Sequence, residues 1–187
     1  HFNLQIKEAY FYALKALKLG EEVGNEKIIC YSCTSLCYAL GELGSLDEAV
    51  FYGQKVQKSS TYMTDSYLFR LVNSALSIAY YFRGDVTRCR EIGAMTINYG
   101  IANKEPRCQS AGYRTLALSY LAAGDFVTTI EYAQKAARGC IEPYFYLWAK
   151  TVLGMSYFAN GQHMDAEKTF EEIVKFDQEV GSRYVGT

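Results

Sequence analysis

The sequence predicts an all-α fold, an array of about nine helices stacked as successive helix pairs. Glycines recur at Gly44, Gly84, Gly124 and Gly161, spaced 40, 40 and 37 residues apart, inside the similar phrases YALGELGSLDEA, AYYFRGDVTRC, SYLAAGDFVTT and SYFANGQHMDA. Apolar residues recur at helical spacing on both sides of each glycine. The two prolines of the chain, Pro106 and Pro143, each stand 18 residues before one of these glycines. A period this short specifies stacking, because one helix pair cannot bury its apolar face alone and must lean on the next.

The elements follow in order. A leading amphipathic helix spans 5–22. Leu4 lies 40 residues before Gly44, so this helix reads as the second half of a repeat whose first half is missing. Four pairs come next, at 26–43 and 46–60, 65–83 and 86–101, 106–123 and 126–139, and 143–160 and 163–179. Each first helix carries a leucine eight residues before its glycine (Leu36, Leu76, Leu116, Leu153) and Leu40, Tyr80, Tyr120 or Tyr157 four before it. These positions lie one turn apart on one face. Seven before the glycine stand the small residues Cys37, Ser77, Ala117 and Gly154, which let a neighbouring helix come close. Asn25 and Asp65 are expected to cap the first two of these helices, and Pro106 and Pro143 to occupy first helical positions, where a missing amide costs nothing.

Each second helix starts after the glycine. Ser45, Asp85 and Asp125 can cap it, Ser45-Leu-Asp-Glu48 is a full capping box, and Gln162 is a weaker cap. Ala49, Cys89, Thr129 and Ala166 stand five after the glycine, and Gly53, Gly93, Ala133 and Phe170 nine after it, which sets the second helix against the first. The reading is one continuous domain over residues 1–187, with repeats at about 25–63, 64–103, 105–140 and 142–181. Gly181-Ser182-Arg183 reads as the approach to another pair, and the chain as a piece of a longer protein.

Composition narrows the function. The 19 basic and 20 acidic residues nearly cancel and are scattered, so no electrostatic footprint for nucleic acid or anionic lipid exists. No apolar stretch approaches the roughly 18 residues of a membrane span, and no signal pattern opens the chain, which points to the cytoplasm. The six cysteines follow helix positions and are expected to be reduced thiols. Cys30, Cys33 and Cys37 share one helix face, but Cys33 and Cys37 occupy packing positions of the repeat and no histidine is near them in sequence, so core packing and no metal are expected. His163 reads as a solvated turn residue, and Glu21-Glu22 and Glu171-Glu172 as exposed faces. The sequence carries no phosphate-cradling glycine loop, no glycine-framed serine and no paired-histidine motif, so neither catalysis nor a cofactor is expected.

The repeat resembles the tetratricopeptide repeat (TPR): Leu153-Gly154-Tyr157-Gly161-Ala166-Phe170 in the last copy, Leu116-Ala117-Tyr120-Gly124-Ala133 in the third, Leu76-Tyr80-Gly84 in the second and Leu36-Leu40-Gly44-Ala49 in the first. The likeness covers nearly the whole chain. It departs from the family in period, about 34 residues in the norm, which implies longer helices or looser junctions here. The longer period resembles the TPR-like arrays of bacterial signalling proteins, namely regulatory ATPases and cyclases, maltose-regulator-like activators and peptide-pheromone sensors.

The resemblance implies a right-handed α-α superhelix whose first helices line a concave groove. Carried onto this sequence, the groove residues are Tyr31, Thr34, Tyr38 and Gly41; Leu71, Ser74, Ile78 and Tyr81; Ala111, Arg114, Leu118 and Leu121; and Trp148, Thr151, Met155 and Phe158. Aromatic, methionine and arginine side chains of this kind dominate binding hot spots. The competing reading is that superhelical curvature or neighbouring repeats bury the same side chains. Arg114 alone does not make the carboxylate clamp of the chaperone-binding branch, although Arg107 and Arg114 can orient an acidic group. The expected function is a non-enzymatic scaffold that holds a peptide, a helix or another domain of the parent protein, as part of a cytoplasmic regulator. A groove that senses a small effector and a module that associates with itself are the alternatives.

Overall fold

A computed structural model describes residues 2–140 and 142–180, and among them are nine α-helices and no strand. The helices are α1 (Phe2–Glu22), α2 (Glu26–Leu43), α3 (Leu46–Gln57), α4 (Ser66–Phe82), α5 (Val86–Ala102), α6 (Pro106–Ala122), α7 (Phe126–Arg138), α8 (Pro143–Ala159) and α9 (His163–Val180). Every predicted helix is present, with ends within three residues of the expectation. His1, the side chain of Leu4 and the expected further approach at Gly181, Ser182 and Arg183 lie outside the described residues. The helices fall into two compact units, one ending at Asp85 and the other beginning at Val86. In the first, α2 packs on α1, α3 and α4, and α3 on α4; in the second, α5 to α9 pack in succession and α6 also reaches α8.

The recurring glycines make the turns. Gly44, Gly84, Gly124 and Gly161 have φ of 84°, 75°, 75° and 76°, a left-handed conformation that an L side chain resists. At each, the next amide reaches back to the carbonyl five residues earlier: Ser45 to Leu40 (2.9 Å), Asp85 to Tyr80 (2.9 Å), Asp125 to Tyr120 (3.0 Å) and Gln162 to Tyr157 (2.9 Å). The glycine amide bonds one carbonyl further on, so two orphan acceptors of the helix end are satisfied together. The α5–α6 turn uses the same pattern, with Glu105 N–H bonded to the Gly100 carbonyl at 2.8 Å, but Lys104 stands in the left-handed position at φ 55°. The left-handed penalty, roughly 1–2 kcal/mol, exceeds the entropy that glycine adds to the unfolded chain. Lys104→Gly is therefore expected to raise stability by up to about 1 kcal/mol, seen as a higher urea midpoint at unchanged slope.

The helix starts divide. Asn25, Asp65 and Asp125 cap as expected, their side-chain oxygens accepting from the amides of Ile28 (3.1 Å), Leu68 (3.0 Å) and Thr128 (3.1 Å). Ser45 does not: its side chain makes no cap bond, so the expected capping box is absent. Its backbone sits at φ −81° and ψ 64°, away from the extended conformation of Asn25 and Asp65, and α3 begins, as the capped helices do, with a backbone bond, from Ala49 to the Ser45 carbonyl.

Asp65 also accepts from the Tyr31 hydroxyl at 3.0 Å and pairs with Lys27 at 3.5 Å. Burial pushes its carboxyl up, but the Leu68 amide, Tyr31 and Lys27 together outweigh it, so its pKa lies below the ordinary 3.8. A carboxylate with a depressed folded pKa stabilises above its ordinary value and loses that contribution as pH falls through the folded one. Asp65→Ala is thus expected to lose about 1–2 kcal/mol at neutral pH, with the difference from wild type shrinking in acid unfolding below 3.8.

Small residues position the helices. A Cβ placed on Gly53 would lie 2.4 Å from Leu76 Cδ2 and 3.1 Å from Cys37 Sγ, so α3 rests on the first helix of its own repeat and on that of the next. The position nine after the turn glycine is therefore small on account of the following leucine as well. In the last copy Phe170 stands there and covers Gly154, where an added Cβ would be 2.7 Å from its ring. A polar clasp recurs between second and first helices: Gln54 donates to the Tyr80 hydroxyl (3.1 Å) and Gln134 to that of Tyr157 (2.9 Å).

The α3 helix stops at Gln57, three residues before its expected end. The Ser59 amide and hydroxyl both donate to the Val56 carbonyl, and Ser60 donates to the Glu26 carboxylate, hydroxyl bonds that compete with the helix. Tyr62 beyond them is buried, its ring 4.8 Å from that of Phe69 and its hydroxyl donating to Asn73 Oδ1.

Candidate partner-binding surface

In the second unit, α8 buries Leu147, Ala149, Val152, Leu153 and Ser156 along one side. Tyr144, Trp148, Thr151, Met155 and Phe158 follow at alternating spacings of four and three, which places them on the other side. Phe158 is 64% exposed, Met155 45% and Tyr144 40%, while Trp148 and Thr151 are half-buried. The Trp148 ring is held from behind. Arg114 of α6 puts its guanidinium 4.4 Å from the Phe145 ring centre and 4.6 Å from that of Trp148, and is itself only 3% exposed. A desolvated guanidinium against two rings fixes both faces of the contact and keeps Trp148 from collapsing into the core. Thr151 donates its hydroxyl to the Leu147 carbonyl at 2.9 Å, which satisfies its polar group within α8. At the far end the Phe158 ring meets exposed His163 edge-on at 5.3 Å.

In the first unit the expected residues lie on α2 and α4. Tyr31 stacks on Tyr67 with ring centres 6.2 Å apart, and burial, reinforced by Asp65, pushes its hydroxyl pKa up to about 12. Tyr38 and Leu71 are half-buried, as is Tyr81, whose ring meets that of exposed Phe82 edge-on at 5.4 Å. Ser74 and Ile78 are buried at 1% and 2% exposure.

Of the sixteen residues expected to line the groove, Thr34, Gly41, Ser74, Ile78, Ala111, Arg114 and Leu118 therefore stand behind the surface. Tyr31, Tyr38, Leu71, Tyr81, Leu121, Trp148, Thr151, Met155 and Phe158 retain accessible area. Arg107 is exposed at the start of α6. Phe145 and Tyr144 belong to the surface and were not anticipated; their spacing of three and four before Trp148 is the signal that would have found them.

The cysteines are core residues. Cys30, Cys33 and Cys37 are 2%, 0% and 0% exposed, and no group of three or more metal-ligating side chains exists among the described residues. Burial pushes the Cys33 thiol up to about 11 and that of Cys37 to about 12. Five of the six thiols are buried and Cys140 is partly exposed, so labelling of the native protein is expected to stop at one thiol and to reach six after denaturation. No described helix is long and apolar enough to cross a membrane.

No protein-family model matches this sequence, and no curated protein matches it. Among solved structures it is similar to nearly identical TPR-like repeats from Podosopora anserina, described as a kinesin light chain, with a TM-score of 0.59 over 96% of this chain and 90% of that one. The fold is TPR-like. Sequence identity to that protein is 18%, so the TPR-like likeness is one of backbone architecture.

Proposed function

We propose that this TPR-like chain is a non-enzymatic scaffold that grips an apolar segment of a protein partner, peptide or helix, on the first-helix face of α8. The observation that carries the reading is the exposure of Met155 and Phe158 in line with Trp148, which Arg114 locks from beneath. An adaptable methionine and rigid aromatics over a desolvated arginine form the kind of anchor that supplies most of the free energy of an interface. Tyr38, Leu71 and Tyr81 offer a second, shallower contact on α2 and α4 of the first unit.

The test uses the full chain as bait, with Met155→Glu and Phe158→Glu beside Val127→Glu, which alters a 69% exposed apolar residue of α7. Each α8 variant is expected to weaken a captured partner by roughly 30-fold or more, and Val127→Glu to leave it unchanged. Retention by both α8 variants, at normal helicity, rules the α8 face out.

A further inference from the structure

On the side of α8 away from the Trp148 stripe, we infer that the cleft between α7 and α9 is a binding site for a phenol ring. Its volume is about 290 Å³, with Gln134 of α7 on one wall, Thr169 and Glu172 of α9 on the other, and Lys150, Leu153 and Tyr157 of α8 as the floor. That is the small end of the range for ligand sites and suits a single ring.

The preceding repeat shows what such a cleft holds. The position eight after the turn glycine is Tyr52, Ile92, Tyr132 and Thr169 in the four copies, large in all but the last. Tyr132 of α7 lays its ring against two rings of α6, with centres 6.2 Å from Tyr113 at 26° and 5.6 Å from Tyr120 at 9°. The Lys135 ammonium stands 5.2 Å from the Tyr132 ring centre. In the last copy the two floor positions are Lys150 and Tyr157, and Thr169 stands where Tyr132 does. Thr169 is 5% exposed and donates its hydroxyl to the Asp165 carbonyl at 2.7 Å, so it turns back on its own helix. The place of the Tyr132 ring is thus left open above a ring and a cation.

Both floor groups suit an electron-rich ring. A ring placed as Tyr132 is stacks on Tyr157 and meets the Lys150 ammonium, so aromatic stacking and cation–π attraction act together. Gln134 donates to the Tyr157 hydroxyl at 2.9 Å and Lys150 pairs with Glu172 at 2.5 Å, which fixes both floor groups. The Lys150 side chain is only 15% exposed, and a desolvated cation attracts a ring more strongly. The Glu172 carboxylate offers an acceptor to a ring hydroxyl, the polar tip that a plain phenyl lacks. Helices that follow in the chain do not cover this face. After the earlier cleft come α8 and α9, yet Tyr113, Tyr120 and Tyr132 all retain accessible area, and among the described residues α7 packs on neither α5 nor α9.

The test titrates N-acetyltyrosinamide, the tyrosine unit of a polypeptide, and free p-cresol into the full 187-residue chain, read by the methyl NMR shifts of Leu153 and Thr169. Saturable ring-current shifts of both methyl groups are expected in the millimolar range, and none with N-acetylleucinamide. Tyr157→Leu is expected to weaken binding at least about fivefold and Phe158→Glu to leave it unchanged. Thr169→Tyr, which supplies the ring from within, is expected to abolish the Leu153 response and to raise the urea midpoint. Tighter binding of the amide assigns the ring to a tyrosine of a polypeptide, and equal or tighter binding of p-cresol to a free phenolic molecule; either result supports the site. Three results overturn it: no saturation by either probe, binding that survives Thr169→Tyr, or a lowered urea midpoint in Thr169→Tyr, which would show that no ring fits there.

Discussion

Gly112→Ala is expected to destabilise the second unit by about 2 kcal/mol, and Gly112→Leu to unfold it. A Cβ on Gly112 would lie 2.7 Å from the Gly93 carbonyl oxygen and 2.8 Å from the Ile97 amide nitrogen, so α5 and α6 meet there backbone to backbone. Side chains can turn aside from an added methyl group; a helix backbone cannot. Alanine gains up to about 1 kcal/mol of helix propensity over glycine, while overpacking costs about 1–3 kcal/mol or more, and against rigid backbone the larger figure applies. Gly139→Ala is the matched control, because the nearest atom its Cβ would meet, Ser110 Cβ, is at an ordinary 3.5 Å. Urea titration of the three variants is expected to rank them Gly139→Ala, Gly112→Ala, Gly112→Leu in increasing loss.

Arg114→Ala is expected to cost about 2–4 kcal/mol and to weaken partner binding although Arg114 is itself buried. The guanidinium touches two rings, each such contact being worth up to about 2 kcal/mol when desolvated. Its loss frees Trp148 to repack. Trp148 is the single tryptophan of the chain, so its emission reports the change directly. Arg114→Lys is expected to restore part of the stability but not the wild-type emission, since an ammonium cannot lie flat between Phe145 and Trp148. Unaltered emission in Arg114→Ala would show that the ring is held by other contacts.

The sequence resolves what is local. A glycine that must adopt positive φ, a proline confined to the first helical position and an aspartate that caps are each written in a residue type, so the turns at Gly84 and Gly124 and the starts at Pro106 and Pro143 are legible without coordinates. Substitutes for the usual residue are not. Lys104 occupies a left-handed position through the backbone bonds around it, and Ser45 makes no cap bond although its sequence pattern advertises one.

The candidate surface is legible only in outline. Periodicity puts Ser74 and Met155 at equivalent kinds of position, yet one is 1% and the other 45% exposed. That difference depends on what packs alongside each helix, information that lies far away in the chain. The same holds for Gly112, whose importance appears only when Gly93 is seen across from it.

Photo-crosslinking at position 158 tests the central claim most directly. With benzoylphenylalanine in place of Phe158, 64% exposed on α8, a covalent adduct with a protein partner is expected, competed away by unmodified chain and lost with Trp148→Ala. The same probe at the equally open Val127 of α7 is expected to give none. Adducts at Val127 and none at Phe158 would contradict the account and move the interaction off the α8 face.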